Sequence, residues 1–334
     1  MKILNTSEYS EKLKIRPVSA KNLSNSYEYQ PKTKTELIML IDKRIKKDGS
    51  ACDLNDIDVS KITNMAFLFA GMDFNGNISR WDVSNVTTMR GMFSSTEFNQ
   101  DISNWNVSKV SDMAYMFNSA EYFNQNISGW NVSNVNDMQY MFSNAYNFNQ
   151  DISRWNTSNV KNMSSMFANT VTFNQDLNNW DVSNVESMNG MFFGTQRFNG
   201  NISNWDVSKV TNMERMFNEA RLFNGDISGW DVSNVTKMSY MFGGALNFSQ
   251  NLSSWNVSKV NEMLGMFKYA ESFNGDISGW DVSKVIDMTE MFAFAKKFNQ
   301  NISNWKTTKT KRHNDMFVFC PLKNNPKKQP IFKK

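Results

Sequence analysis

Short acidic and amide side chains recur in two columns of this sequence, and they are the first residues that could do chemistry. One column precedes Ile or Leu and the other follows Trp. The first contains Asn77, Asp101, Asn126, Asp151, Asp176, Asn201, Asp226, Asn251, Asp276 and Asn301. Grouped carboxylates could bind calcium or act as an acid–base pair, and both roles depend on the negative charge. Because Asp and Asn exchange freely in both columns, we expect side chains that accept local backbone hydrogen bonds.

The remaining groups that could react are isolated in the sequence. His313 is the single histidine and lies in the basic C-terminal region, with no nucleophile motif beside it. Cys52 and Cys320 flank the central part of the chain, too far apart for the Cα separation of about 4.4–6.8 Å in a disulfide, so we expect free thiols. The sequence contains no Gly-rich phosphate loop and no Cys/His metal motif. We therefore predict a non-enzymatic protein without a catalytic residue, cofactor or metal.

The tryptophans show how these columns arise. All ten lie in register, one interval of 24 residues being followed by eight of 25, at Trp81, Trp105, Trp130, Trp155, Trp180, Trp205, Trp230, Trp255, Trp280 and Trp305. A fixed period of this length is the signature of stacked repeats, which form one elongated domain. The sequence therefore predicts a repeat solenoid.

Each repeat has two halves, which we interpret from residues 223–247. Apolar residues recur there at helical spacing: Val235, Met238, Met241, Phe242 and Ala245. This pattern predicts a short helix with Ser233 as its N-cap, and a short strand is expected near Ile227. The predicted fold is an α/β, leucine-rich-repeat-like solenoid of about ten coils, with one short parallel strand and one short helix per coil.

Four regions follow from this pattern. Residues 1–33 are polar and predicted to form a flexible leader. Residues 34–60 are predicted to form an N-terminal helical cap, with a helix over 35–47 and Thr35 as its N-cap. Residues 61–310 form the array of 24- and 25-residue units, and residues 311–334 form a C-terminal cap and basic tail. Caps are needed because terminal repeats lack a neighbour on one side.

Three further columns predict how the repeats pack. The Met and Phe columns recur on the apolar face of every unit, so we expect them in the core. The Asn that follows Phe in all copies but one, where Ser249 stands, is expected to form a ladder that bonds loop amides. Each Trp is expected to fill the core and to donate its indole N–H to a loop carbonyl.

Charge and hydropathy restrict the partners. The formal net charge is +4, and the excess of lysine and arginine lies mostly near the two ends. A nucleic-acid binder usually carries a concentrated basic stripe, so nucleic acid is an unlikely ligand. No apolar run approaches the roughly 18 residues of a membrane span, and the N-terminus lacks the apolar core of a secretory signal. The sequence alone thus favours a cytoplasmic monomer.

Candidate binding residues lie where the repeat varies, between the two Met columns. Tyr115 and Tyr140 occupy one column of adjacent coils, Tyr240 lies further along it, and Arg215 adds a charge. Exposed Tyr and Arg are frequent anchors in protein interfaces. We predict a scaffold that binds a protein partner of unknown identity through its variable outer face, and these four residues are its candidate site.

The repeat resembles a known family. Its Phe-Asn, Asp/Asn-Ile, Trp-Asp/Asn-Val-Ser and Met-x-x-Met-Phe columns are together similar to the short repeat of BspA-like leucine-rich-repeat surface proteins of bacteria and mycoplasmas, over about residues 61–317. The resemblance implies an adhesion or interaction protein that is often exported or lipid-anchored. It therefore adds an alternative, a bacterial surface adhesin that binds host matrix or glycan, although the sequence shows no lipobox.

Overall fold

The structure, a computed structural model, describes residues 27–332, and these form a stack of similar coils. Parallel single-residue bridges join equivalent positions of successive units, from Asn64–Thr88 to Asp287–Arg312. Each unit therefore lies directly on the next, and its apolar side chains fill the space enclosed by its own coil. Residues 1–26 of the predicted leader, and Lys333 and Lys334 of the basic tail, lie outside the described residues.

The predicted α/β solenoid with a strand and a helix per coil is wrong. Across residues 27–332 the one α-helix is α1 (Lys34–Asp48), and two short 3₁₀ turns follow the array at Pro321–Asn324 and Pro326–Lys328. No sheet forms there, since the bridges stay isolated. The strand expected near Ile227 is absent, and the bridge of that unit lies at Lys237 instead, inside the segment predicted to be helical.

Tandem turns replace the predicted helix, so Ser233 is not a helix N-cap. Residues 238–245 and their equivalents in the other units are here called the turn segment. Within this segment, Tyr240 and Gly244 have positive φ of 55° and 69°. Left-handed residues every four positions cannot continue an α-helix. The N–H of Met241 bonds the carbonyl of Met238 at 3.1 Å, whereas that of Phe242 bonds Met266 of the next coil at 2.9 Å. Turns of three and four residues point apolar side chains inward at the spacing of a helix, which explains the error.

The aromatic and Met columns form the core, as predicted. Phe242 stacks on Phe217 of the preceding coil with ring centroids 5.8 Å apart and on Phe248 of its own coil at 4.0 Å. Each Trp is buried and donates its indole N–H to a carbonyl of the preceding coil; Trp230 Nε1 lies 3.2 Å from the oxygen of Ile202. The prediction that Trp fills the core and bonds a loop carbonyl is confirmed.

Two side-chain ladders satisfy the loop backbone, and both predictions about them are confirmed. In the Asn ladder, the Oδ1 of an Asn accepts the backbone N–H of the equivalent residue one coil further on, as Asn174 does from Asn199 at 2.8 Å. The short Asp and Asn side chains bond the N–H two residues later, as Asp226 does for Ser228 at 3.0 Å. Because Asn201 and other amides make the same bond, it does not need the charge.

Different segments cover the two ends of the core. The predicted helix over 35–47 is confirmed, but α1 has Thr33 rather than Thr35 as N-cap, and its Leu37 and Ile41 are fully buried. At the C-terminal end, Ile302 N–H bonds the oxygen of Lys328 at 3.0 Å. No helix within residues 27–332 has both the length and the apolar character needed to cross a bilayer.

The two thiols also behave as predicted. Cys52 and Cys320 are free and buried, one beside each end of the core. Burial raises the pKa of the Cys320 thiol to about 11, so the neutral thiol predominates at physiological pH. A buried protonated thiol is a small apolar filler rather than a nucleophile.

Candidate interaction surface

Two columns of left-handed residues define the exposed edge of every turn segment. The first column contains all four residues proposed from the sequence: Tyr115, Tyr140, Arg215 and Tyr240, with φ between 55° and 60°. The second column lies four residues later along the chain. It includes Gly71, Ser119, Asn144, Gly244, Tyr269, Phe294 and Phe319. Side chains at these positions point outward because the residues between them, the Met and Phe columns, face the core.

Tyr115 and Tyr140 form one of two separate groups among the predicted residues. Their rings stack with centroids 4.8 Å apart and an interplanar angle of 11°. The guanidinium of Arg90 lies 5.0 Å from the centroid of the Tyr115 ring and 3.4 Å from the carboxylate of Asp137. One face of the Tyr115 ring is thereby covered by a cation and the other by the ring of Tyr140.

Arg215 and Tyr240 form the second group. The two residues are adjacent in the column, with the guanidinium 5.8 Å from the ring centroid, and they line a shallow depression of about 310 Å³ together with Lys268 and Tyr269. The coils of Ser165 and Gly190 separate this group from the Tyr140 pair. The four predicted residues therefore share one column but do not form one site.

Glycines create the depression beside Tyr240. A Cβ placed on Gly243 would lie 2.4 Å from the Nδ2 atom of Asn218, and one on Gly244 would lie 2.5 Å from Oε1 of Glu219. A side chain at either position would therefore displace the end of the Asn218 or Glu219 side chain and occupy part of the depression. Gly244 also has a φ of 69°, which glycine adopts without a steric cost.

An exposed aromatic row, which the sequence reasoning missed, continues from this depression to the C-terminal end of the array. Tyr269, Phe294 and Phe319, here called the C-terminal aromatic row, stack with centroids 4.5 and 4.8 Å apart. Tyr269 is 40% exposed and Phe319 is 71% exposed. Three aromatic residues spaced by 25 positions were visible in the sequence, but only positions between the two Met columns were considered as candidates.

An ion pair fixes a positive charge, that of Lys268, beside the C-terminal aromatic row. Lys268 Nζ lies 2.7 Å from a carboxylate oxygen of Glu290 and 5.7 Å from the centroid of the Tyr269 ring. The hydrogen bond to Glu290 raises the pKa of Lys268, so the ammonium remains charged well above neutral pH. The depression and row thus combine aromatic edges with a fixed cation and nearby carboxylates, a composition suited to binding a polar and apolar surface together.

The groups that could do chemistry lie elsewhere and apart. Residues 27–332 contain no group of three or more His, Cys, Asp and Glu side chains able to hold a metal ion. The imidazole of His313 stacks on Phe332 with centroids 3.9 Å apart. In the Asp columns, the N–H and hydroxyl of the serine two residues later lower the pKa of carboxylates such as Asp226, because these hydrogen bonds favour the ionised form.

These observations define a repeat protein built from stacked coils, with exposed side chains along its turn segments. The sequence model of the family described as "Mycoplasma protein of unknown function, DUF285" matches three overlapping stretches, residues 43–155, 137–255 and 223–329. The chain belongs to this family. No curated protein matches the sequence.

Proposed function

We propose that this protein is a non-enzymatic scaffold that binds a partner protein through the C-terminal aromatic row and the adjoining depression. The depression supplies Arg215, Tyr240 and Lys268, and the row supplies three stacked aromatic side chains. Tyr and Arg are the side chains most enriched among residues that dominate interface energies, and a contiguous patch of them is unusual on a protein that binds nothing.

The observation that carries the proposal is the presence of bulky residues where glycine would be unstrained. Tyr269 and Phe294 have φ of 60° and 61°, and the same column holds Gly71, Gly194 and Gly244 in other coils. A left-handed conformation costs a residue with a Cβ about 1–2 kcal/mol. The core does not require these side chains, since the column faces outward. A role at the surface therefore accounts for aromatic residues at positions where glycine would avoid this left-handed cost.

This cost allows an experiment that separates binding from folding. In Tyr269→Gly/Phe294→Gly, relief of the left-handed cost offsets the lost ring stacking, about 0.5–1.5 kcal/mol for each pair. We expect the free energy of unfolding to change by no more than about 1 kcal/mol per site. The matched control is Ser119→Gly/Asn144→Gly, which changes the same column four or more coils away from the row.

The assay is quantitative capture of partners by the immobilised full chain from extracts of its native cell. We expect the wild type and the control variant to retain the same partner protein. The variant of the row should lose it while its circular dichroism stays unchanged and its free energy of unfolding changes by no more than about 1 kcal/mol per site. A partner retained equally by all three proteins, with a dissociation constant within a factor of two, would overturn the assignment of this surface.

The second candidate, a surface adhesin for host matrix or glycan, is supported by the resemblance to BspA-like surface proteins. Within that alternative, a matrix protein fits the row better than a glycan, because sugars stack on open ring faces. The faces of Phe294 are covered by Tyr269 and Phe319. Protease treatment of intact cells tests the location: an adhesin is digested without lysis, whereas a protein protected until lysis excludes this function.

A further inference from the structure

The C-terminal end of the array presents an open row of backbone donors. In each unit, four alternate N–H groups of the turn segment bond carbonyls of the next unit. In the last such pair of units, the N–H···O distances are 2.7–2.9 Å. The donors are Met288, Glu290, Phe292 and Phe294, and the acceptors are the carbonyls of Arg312, Asn314, Met316 and Val318 in that order. One coil further on, the equivalent N–H groups have no hydrogen-bond acceptor among residues 27–332. They belong to His313, Asp315, Phe317 and Phe319.

These donors point away from the array. Asp315 and Phe319 have φ of 55° and 51°, the same left-handed conformation as Glu290 and Phe294 in the preceding coil. This shared backbone conformation directs the N–H groups along the same axis, where none of residues 27–332 accepts them. An unpaired row of backbone groups at the edge of a ladder is a template for another chain.

The peptide dipoles of the turn segments favour a negatively charged partner at this end. The four inter-coil bonds of each turn segment run in one direction, with the N–H toward the C-terminal end, as in Met263 to Asp287 and Phe267 to Met291. Outside the turn segment each unit also makes a backbone bond in the opposite direction, such as that from Thr236 to Thr211. Aligned peptide units add their dipoles, so the end that exposes N–H groups carries partial positive charge, as the N-terminus of an α-helix does.

The charged side chains at this end are mostly positive, the same sign as the partial charge of the exposed N–H groups. Residues 306–332 include seven lysines and arginines and one acidic residue, Asp315, whereas the whole chain has a net charge of only +4. Lys309, Lys311 and Lys323 are exposed. The aromatic row ends here too, because no ring among residues 27–332 covers the outer face of Phe319, which is 71% exposed.

Resting on the proposed function, we propose that the partner docks an extended acidic segment against residues 313–319. Its backbone carbonyls accept the open N–H groups, as in peptides that add a strand to an open edge. Its carboxylates face the exposed lysines, and an apolar side chain covers the open face of Phe319. Main-chain bonding, charge and an apolar anchor thus act on one segment.

The observations favour a polypeptide over the other ligands that a basic end could attract. Single-stranded nucleic acid binds by stacking bases on free aromatic faces. The C-terminal aromatic row offers such faces only at its two ends, because Tyr269 and Phe319 cover both faces of Phe294. A second copy of this chain would offer carbonyls at its first coil, but Lys34 of α1 already donates to one of them, that of Ala66.

Amide hydrogen exchange of the isotope-labelled full chain, followed by NMR, tests the proposal. The probe is a short peptide in which aspartate alternates with valine, with a peptide of alternating lysine and valine and an oligothymidylate as comparisons. We expect the aspartate peptide alone to slow exchange at Asp315, Phe317 and Phe319. The equivalent amides of Glu290, Phe292 and Phe294 are already bonded in the ladder and serve as internal controls.

Charge reversal provides the second measurement. Lys311→Glu should weaken binding of the aspartate peptide by about tenfold, since it replaces an attraction by a repulsion at a partly solvated contact. Lys161→Glu is the matched control, because Lys161 occupies the same column six coils earlier. Equal dissociation constants for both variants would contradict the role of the C-terminal end.

The remaining outcomes separate this inference from the proposed function. If Tyr269→Gly/Phe294→Gly loses the cellular partner but no peptide protects residues 315–319, the acidic-segment inference fails and the proposed function stands. Protection by oligothymidylate would identify nucleic acid as the ligand instead. Protection that rises with protein concentration in the absence of peptide, together with a larger sedimenting species, would show that a second copy occupies the edge.

Discussion

The Asn ladder contains one break, and repairing it is expected to stabilise the protein. Ser249 replaces Asn in its column, and its own N–H still bonds Oδ1 of Asn224 at 3.0 Å. Its shorter side chain does not accept the next N–H, that of Asn274, which has no acceptor among residues 27–332. Ser249→Asn supplies an amide oxygen at the position that every other ladder residue uses.

The magnitude follows from a single hydrogen bond. A neutral intramolecular bond contributes about 0.5–1.5 kcal/mol net, because the free N–H otherwise bonds water. Asn274 is exposed, so the lower half of that range applies, about 0.5–1 kcal/mol. The residue after Asn274 is Gly275, which has no side chain. The variant therefore gains no second hydrogen bond of the kind that Gln250 donates to Asn224.

The reverse substitution is available in the same chain. Asn174 accepts the N–H of Asn199 at 2.8 Å, and the next residue is again a glycine, Gly200. Asn174→Ser therefore creates the break that Ser249 makes naturally. We expect it to lower the free energy of unfolding by about the amount that Ser249→Asn raises it.

Urea denaturation and amide exchange give independent readings of the ladder. The urea midpoint should rise for Ser249→Asn and fall for Asn174→Ser with an unchanged m-value. Exchange at Asn274 should slow in the first variant, and exchange at Asn199 should accelerate in the second. Unchanged exchange at both amides would refute the reasoning that the asparagine column holds successive coils together.

Three other changes have defined outcomes. Trp230→Phe removes the donor to the buried carbonyl of Ile202 and leaves unfilled volume, so unfolding should become easier by about 2–4 kcal/mol in urea titration. Thr33→Ala removes the N-cap bond to α1 and should cost about 1 kcal/mol. The hydrogen bonds from Ser228 lower the pKa of Asp226. The ionised carboxylate therefore stabilises the folded protein above the ordinary Asp pKa of about 3.9, and this stabilisation is lost as the pH falls through the lower pKa of the folded state. Asp226→Asn should reduce this acid dependence while keeping the bond.

Each of these three predictions has a result that would contradict it. A wild-type urea midpoint for Trp230→Phe would show that the indole bond and volume contribute nothing. An unchanged midpoint for Thr33→Ala would mean that α1 does not use its cap. For the acid dependence, identical stability curves of the wild type and Asp226→Asn between neutral pH and pH 3 would show that the local bond does not distinguish the ionised from the protonated carboxyl.

Side-chain roles within a repeat were largely predictable from the sequence. The freedom with which Asp exchanges with Asn in the column of Asp226 identified a local acceptor, because an amide oxygen and a carboxylate oxygen accept the same N–H. The strict Trp column identified a core position, since a bulky side chain that recurs at a fixed period must fill an equivalent space in each coil. Both roles could be predicted because the same side chain, or one with the same hydrogen-bonding group, recurs at the same position of each repeat.

The backbone conformation was not predictable in the same way. Val235, Met238 and Met241 fit a helix by spacing, yet the segment is built from turns with Tyr240 at a φ of 55°. Spacing reports which side chains face inward, and helices and tandem turns place them alike. What selects the turns is the bonding of alternate N–H groups to the next coil, a contact that exists only after the units have stacked.

The candidate site shows the same division. Tyr115, Tyr140, Arg215 and Tyr240 were identified as surface residues from their variation, and their common column was evident from the period. Only the tertiary structure separated them into two groups, added the row that ends at Phe319, and exposed the N–H edge beyond it. A single period in the sequence therefore determined the repeat and its buried columns. The stacking of coils decided the backbone geometry, the neighbours of each exposed side chain and the polarity of each end, because those properties belong to contacts between units and not to any one unit.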